Sequence, residues 1–115
     1  MARSRPYRAA RPAEAAAAFA ALGDETRLRI VARLCGGGPL SIARLSAGAR
    51  ISRQAITKHL QALEKAGIAH SARAGRERIW ELRTARLAEV RGYLDQISRQ
   101  WDEALGRLRA FVEES

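Results

Sequence analysis

Residues 51–67, Ile51-Ser52-Arg53-Gln54-Ala55-Ile56-Thr57-Lys58-His59-Leu60-Gln61-Ala62-Leu63-Glu64-Lys65-Ala66-Gly67, constrain this chain more than any other stretch. Ser52 is suited to cap a helix, because its hydroxyl accepts from the free amides of the first turn. Gly67 is suited to end one, because it tolerates the left-handed conformation. At 100° per residue Ile56, Leu60 and Leu63 fall on one narrow stripe, and Gln54, Thr57, Lys58, Gln61 and Lys65 lie opposite. That outer face carries donors, acceptors and two positive charges, a chemistry that fits a DNA major groove. An ordinary amphipathic surface helix has the same pattern, so the neighbouring segments have to decide.

Upstream, Ala13 to Leu22 is an Ala-rich helix anchored by Phe19 and Leu22 and ended by Gly23. Asp24 caps a second helix, Glu25 to Cys35. Its apolar rows, Leu28/Val31/Cys35 and Ile30/Leu34, take up most of the circumference, which predicts a helix central to the core with Cys35 buried. Arg29 and Arg33 fill the remaining strip and are expected to be solvated. The run Gly36-Gly37-Gly38-Pro39 breaks the helix. Ser41 caps a short third helix with Ile42 and Leu45 inward, and Gly48-Ala49-Arg50 turns into the opening stretch. Two short helices joined by about four residues with a Gly form a helix-turn-helix pattern.

Downstream, Ile68–Arg73 and Arg76–Leu82 are extended candidates around Ala74-Gly75, so a β-hairpin is predicted with Gly75 supplying positive φ. Arg73, Arg76 and Arg78 cluster at its tip, while Trp80 and Leu82 alternate onto the packing face. Such a hairpin after such a helix has the form of a wing lying on a DNA backbone or minor groove. Thr84 is expected to cap the last segment. In it Leu87, Leu94, Trp101 and Leu108 recur every seven residues, with Val90, Ile97, Ala104 and Phe111 three residues after each. Four heptads exceed what a body of about 70 residues needs to cover it, which favours self-association.

The expected fold is therefore mostly α with a β-hairpin wing: a winged helix-turn-helix of about five helices, the last long and dimerising. Residues 1–12 form a basic arm expected to be flexible, 13–83 the body and 84–115 the dimerisation helix. Charge follows the same division. Sixteen of the twenty-one Lys and Arg lie before residue 84, a local net of +10, and the remainder is nearly balanced at −1. A basic body points to a polyanion, double-stranded DNA, while the balanced segment has another task. No apolar run is long enough to cross a membrane and the N-terminus has no secretory h-region, which with a single cysteine fits a cytoplasmic protein. No nucleophile–base constellation or phosphate loop is present, so no enzyme is expected.

Leu22-Gly23-Asp24-Glu25-Thr26-Arg27-Leu28-Arg29-Ile30 resembles the second-helix signature of the ArsR/SmtB family of bacterial repressors. Ser52–Leu60 with Leu63 and Ala66-Gly67-Ile68 is similar to that family's recognition helix, and Gly75-Arg76-Glu77-Arg78 with Trp80 and Leu82 to its wing. The likeness runs from about residue 14 to 113. It implies a homodimeric repressor on an inverted repeat, with the first and last helices forming the interface. That interface would draw on Phe19 and Leu22, then Leu87, Val90 and Leu94, then Ile97, Trp101, Leu105 and Leu108.

The chain departs from the metal-sensing members of that family. Their thiolate pair would fall at Ser41 and Ala43, and residues 84–115 hold no His for the other common site. No metal or other cofactor is expected. Gln54, Thr57 and Lys58 are candidates for base edges, and Arg53 for guanine or phosphate. Ser41, Ser52, Arg50, Arg73, Arg76 and Arg78 are candidates for phosphate. His59 is expected to pack half-buried, although it could reach phosphate, and Trp101 is expected to pack in the seam. Two other functions remain open: a winged-helix module that works by binding protein through its last helix, and a redox sensor through Cys35. The sequence names no small-molecule effector.

Overall fold

The computed structural model describes residues 11–114; the basic arm expected over residues 1–12 therefore lies almost wholly outside the described residues. The order is α1 (Pro12–Leu22), α2 (Glu25–Gly37), β1 (Leu40–Ser41), α3 (Ile42–Ser46), α4 (Arg53–Lys65), β2 (Ala69–Ala74), β3 (Glu77–Leu82) and α5 (Thr84–Glu114). Five helices and a wing match the expected winged helix-turn-helix. Caps explain most boundaries. Pro12 opens α1, where its missing N–H costs nothing. Asp24, Ser41 and Ser52 accept from the amides of Arg27, Arg44 and Ala55 at 3.0, 3.2 and 3.1 Å. Thr84 is the first residue of α5 rather than its cap, and Leu87 N donates to Arg83 O at 3.2 Å.

The sheet holds one strand more than the hairpin. β1 pairs antiparallel with β3, Leu40 opposite Trp80, in the order β1-β3-β2. Two residues carry no legible period, so only the tertiary pairing reveals this strand. In the wing Ala74 faces Glu77 across Gly75-Arg76. Gly75 has φ 65° and among the described residues none other than glycine has positive φ, the signature of a type II′ turn with Gly first.

Ile56, Leu60 and Leu63 of α4 and Ile68 after it are fully buried, and they meet Ile30, Leu34, Leu45, Trp80 and Val90 in one core. The predicted stripe of α4 is therefore the one buried. α2 is less central than its composition implies. Only its Ile30/Leu34 row is buried, Leu28 is exposed, and Cys35 is exposed rather than buried as expected. A helix with two apolar rows and a single layer of neighbours can bury only one of them.

Arg86 ties three parts of the chain together. Its guanidinium donates to Glu14 of α1 at 2.6 Å and to Glu89 at 3.2 Å, and it lies over Gly67 at the end of α4. A Cβ on Gly67, whose φ is 78°, would come within 2.8 Å of Arg86 Nε. The hydrogen bond from Arg86 holds the Glu14 carboxyl below its ordinary pKa, outweighing the opposing effect of desolvation. A depressed carboxylate contributes stability above its unfolded pKa and loses it as pH falls through the folded value. The urea midpoint of the wild type should therefore exceed that of Glu14→Gln at pH 6, and the two should converge below the ordinary carboxylate range. A constant offset down to pH 3 would refute the pairing.

The first part of α5 packs on the body, with Val90 in the core and Tyr93 against Phe19 of α1 at a ring-centroid distance of 6.3 Å. From residue 98 to 114 every residue is exposed. No helix among the described residues is long and apolar enough to cross a membrane.

Candidate nucleic-acid interface

The start of α4 presents Arg53, Gln54 and Lys58 to solvent, with Ser52 exposed in front of them. Thr57 is half-buried, and its Oγ1 donates back to Arg53 O at 2.8 Å. That bond holds the hydroxyl against the helix and leaves the side chain's methyl as its apolar contact group. Glu64 is also exposed, and seven residues beyond Thr57 it returns to nearly the same azimuth. Only the first two turns thus form a face suited to a polyanion.

α4 is held in place from behind by arginines. Arg27 of α2 donates from Nε to His59 Nδ1 at 3.2 Å and from Nη1 to Ala21 O at 3.4 Å, joining α1, α2 and α4. Asp24 Oδ2 lies 3.9 Å from the same His59 nitrogen. His59 is therefore half-buried, as expected, and its Nδ1 is engaged by neighbouring helices. Arg33, expected to be solvated, donates to Leu45 O at 2.8 Å and Arg44 O at 3.0 Å, capping the end of α3. Arg29 does stand in solvent, paired with Glu25 at 2.8 Å. These roles were not legible from periodicity. Each depends on a ring or carbonyl carried by another helix.

In the wing Arg73 and Arg78 stand directly opposite each other across β2 and β3, both exposed, and Arg76 occupies the turn. Arg78 donates to Ser71 Oγ at 2.8 Å, which fixes its direction. Like charges facing across a sheet are unfavourable alone and are relieved by an anion between them.

The comparisons fit this geometry. Residues 22–72 match the model of a helix-turn-helix domain. The chain is 39% identical over 88 residues to the HTH-type transcriptional regulator Rv2034 of Mycobacterium tuberculosis, covering 76% of this chain and 78% of that protein. An ArsR-like transcriptional regulator from Rhodococcus sp. RHA1 superposes with a TM-score of 0.75 at 38% identity, covering 86% and 92% of the two chains. The chain belongs to the ArsR-like family of transcriptional regulators. In fold this ArsR-like regulator also resembles the homodimeric winged helix-turn-helix DNA-binding domain of Mb0332 from Mycobacterium bovis, at 21% identity and TM-score 0.60 over 83% of this chain and 84% of that one.

Not every expected site residue joins the surface. Ser41 does not: it is buried, and its Oγ is taken up by the Arg44 amide at the start of α3. Arg50 is exposed in the turn before α4. Among the residues expected at an interface, Val90 is buried in the regulator's own core, and Phe19, Leu22 and Leu87 are half-buried against it. Ile97 is half-buried, while Leu94, Trp101, Leu105 and Leu108 are exposed by 47–63%. Phe111, at 72%, continues that apolar row. No group of three or more His, Cys, Asp or Glu that could hold a metal occurs among the described residues.

Proposed function

We propose that this ArsR-like regulator is a homodimeric repressor that binds an inverted-repeat operator and does not respond to metal. The observation that carries the DNA reading is the pairing of a capped, basic helix start with a wing whose Arg73 and Arg78 stand opposite each other. Gln54 and Lys58 have the donor and acceptor pattern for adenine and guanine edges, and the Thr57 methyl suits thymine. Arg53, Arg50, Ser52 and the wing arginines Arg73, Arg76 and Arg78 hold the backbone, with one wing arginine free to enter the minor groove.

The dimer reading is supported by the exposed apolar row from Leu94 to Phe111, larger than a monomeric surface ordinarily leaves in water. A homodimeric neighbour of the same fold agrees with it. Two copies related by a twofold axis would set their α4 helices about one DNA turn apart, so the operator is palindromic. Metal independence rests on the donor set: Ser41 and Ala43 stand where metal-sensing members carry thiolates, and the Ser41 oxygen is occupied by a helix cap.

Footprinting on the DNA upstream of its own coding sequence, with a salt titration, tests this reading. A protected palindrome is expected, with log affinity falling against log salt by about 0.9 for each phosphate held. Gln54→Ala should relax base preference at one position per half-site, losing about 1–3 kcal/mol of discrimination. Arg76→Ala should weaken all sequences alike and lower the salt slope by about 1. Equal affinity for operator and random DNA would overturn the proposal.

A further inference from the structure

A hollow of about 470 Å³ opens between α2 and the turn that leads into α4. One face of α2 supplies Thr26, Arg29, Ile30 and Arg33, spaced so that all four side chains share a stripe. Opposite them lie Leu45, the turn Gly48–Ile51, and Ile56 of α4. The volume is that of a small-molecule site, and the chemistry is divided. Ile30, Leu45, Ile51 and Ile56 make an apolar floor, and Arg29, Arg33 and Arg50 bring three guanidinium groups with no carboxylate among the lining residues.

Each arginine has capacity to spare. Among the described residues Arg29 pairs with Glu25, and both side chains are largely in solvent, where an ion pair is weak and exchangeable. Arg33 uses two N–H groups on the Leu45 and Arg44 carbonyls and keeps its charge and its other donors. Arg50 appears in none of the ion pairs among the described residues. A floor of aliphatic carbon under a cationic rim matches a molecule with an apolar body and one carboxylate.

We propose that this hollow is an effector site for a small amphipathic organic anion, an aromatic or short-chain carboxylate, and that its occupancy lowers DNA affinity. The second half of the proposal rests on the DNA reading above. Its physical reason is that the hollow and the DNA surface share parts. The carboxylate competes with phosphate for Arg50, and its apolar body lies against Ile51 and Ile56, the residues that set how the chain enters α4. Gly48, with φ 74°, sits in the same wall, so the turn that the occupant presses on is a tight one.

The test uses the full chain labelled with ¹⁵N and titrated, without DNA, with benzoate, 1-naphthoate and octanoate in turn. At least one should produce saturable amide shifts confined to residues 26–33 and 45–56, with a Kd of about 1 mM or below. At saturation, operator affinity read separately by fluorescence anisotropy should fall about fivefold or more. Ala47→Phe places a ring over the hollow from an exposed position and should abolish the shifts with all three anions. Arg29→Gln, a surface change that spares the fold, should weaken the anion by about threefold or more. No saturable shifts with any of the three anions, shifts centred elsewhere, or the same affinity in both folded variants would overturn the site. Binding in the hollow with unchanged operator affinity would overturn its regulatory role. Failure of the ligand-free protein to prefer any DNA would instead overturn the DNA reading and leave the titration result standing.

Discussion

The double substitution Leu105→Glu and Leu108→Glu yields a folded monomer whose operator affinity falls by about 100-fold or more. Both side chains are more than half exposed and belong to none of the core contacts of their own chain, so the substitutions leave the body intact. At an interface between two α5 helices they would bury four carboxylates, a cost of several kcal/mol that a seam of this length does not offset. With the dimer gone each copy holds one half-site alone and loses the gain from linking two readers. Sedimentation velocity reads the assembly, and anisotropy on the palindrome reads the affinity. Retention of the dimer, or a monomer that binds as tightly as wild type, would overturn the interface on α5. Val90 is the wrong residue for this experiment, since changing it would damage the core first.

The second large effect is on stability. Leu60→Ala should destabilise the chain by about 3 kcal/mol and lower Tm by roughly 10–20 °C at fixed protein concentration. Leu60 is fully buried and stands between Ile56 and Leu63, so its removal opens a cavity in the core beneath α4. Lys58→Ala, two residues away on the outer face, should shift Tm little, because an exposed side chain makes no such contacts. Thermal unfolding followed by circular dichroism compares the two. Equal losses would show that the inner stripe does not set the helix in its place.

Most of this architecture was legible in the sequence because capping and periodicity are local. Asp24, Ser41 and Ser52 mark helix starts by their own chemistry, and Ile56, Leu60 and Leu63 declare their face by spacing alone. What stayed hidden depended on partners distant in the chain. β1 exists only because Leu40 and Ser41 meet Trp80 and Ile79. Arg33 is exposed as expected, but nothing in α2 reveals that the end of α3 lies within reach of its guanidinium. Cys35 looked buried because α2 has a second apolar row, and only packing decides which row is used. The candidate surface divides in the same way. Gln54, Lys58 and the wing arginines are exposed where their faces required, whereas Ser41 is consumed by its cap and the seam runs into the core at Val90.

That last feature gives α5 a second property. The same unbroken rod of about 46 Å is rooted in the core at Val90 and carries its apolar row outward past Trp101 to Phe111. Its two ends are in register, as teeth on one shaft. A single residue inserted between Val90 and Trp101 would rotate everything beyond it by 100° while leaving the body untouched. The outer row would then face a different direction relative to the body. Length in this span is therefore fixed by geometry, whereas the glycine run after α2 bears no such phase. In the proposed dimer, the residue count between Val90 and Trp101 would set the distance between the two α4 helices.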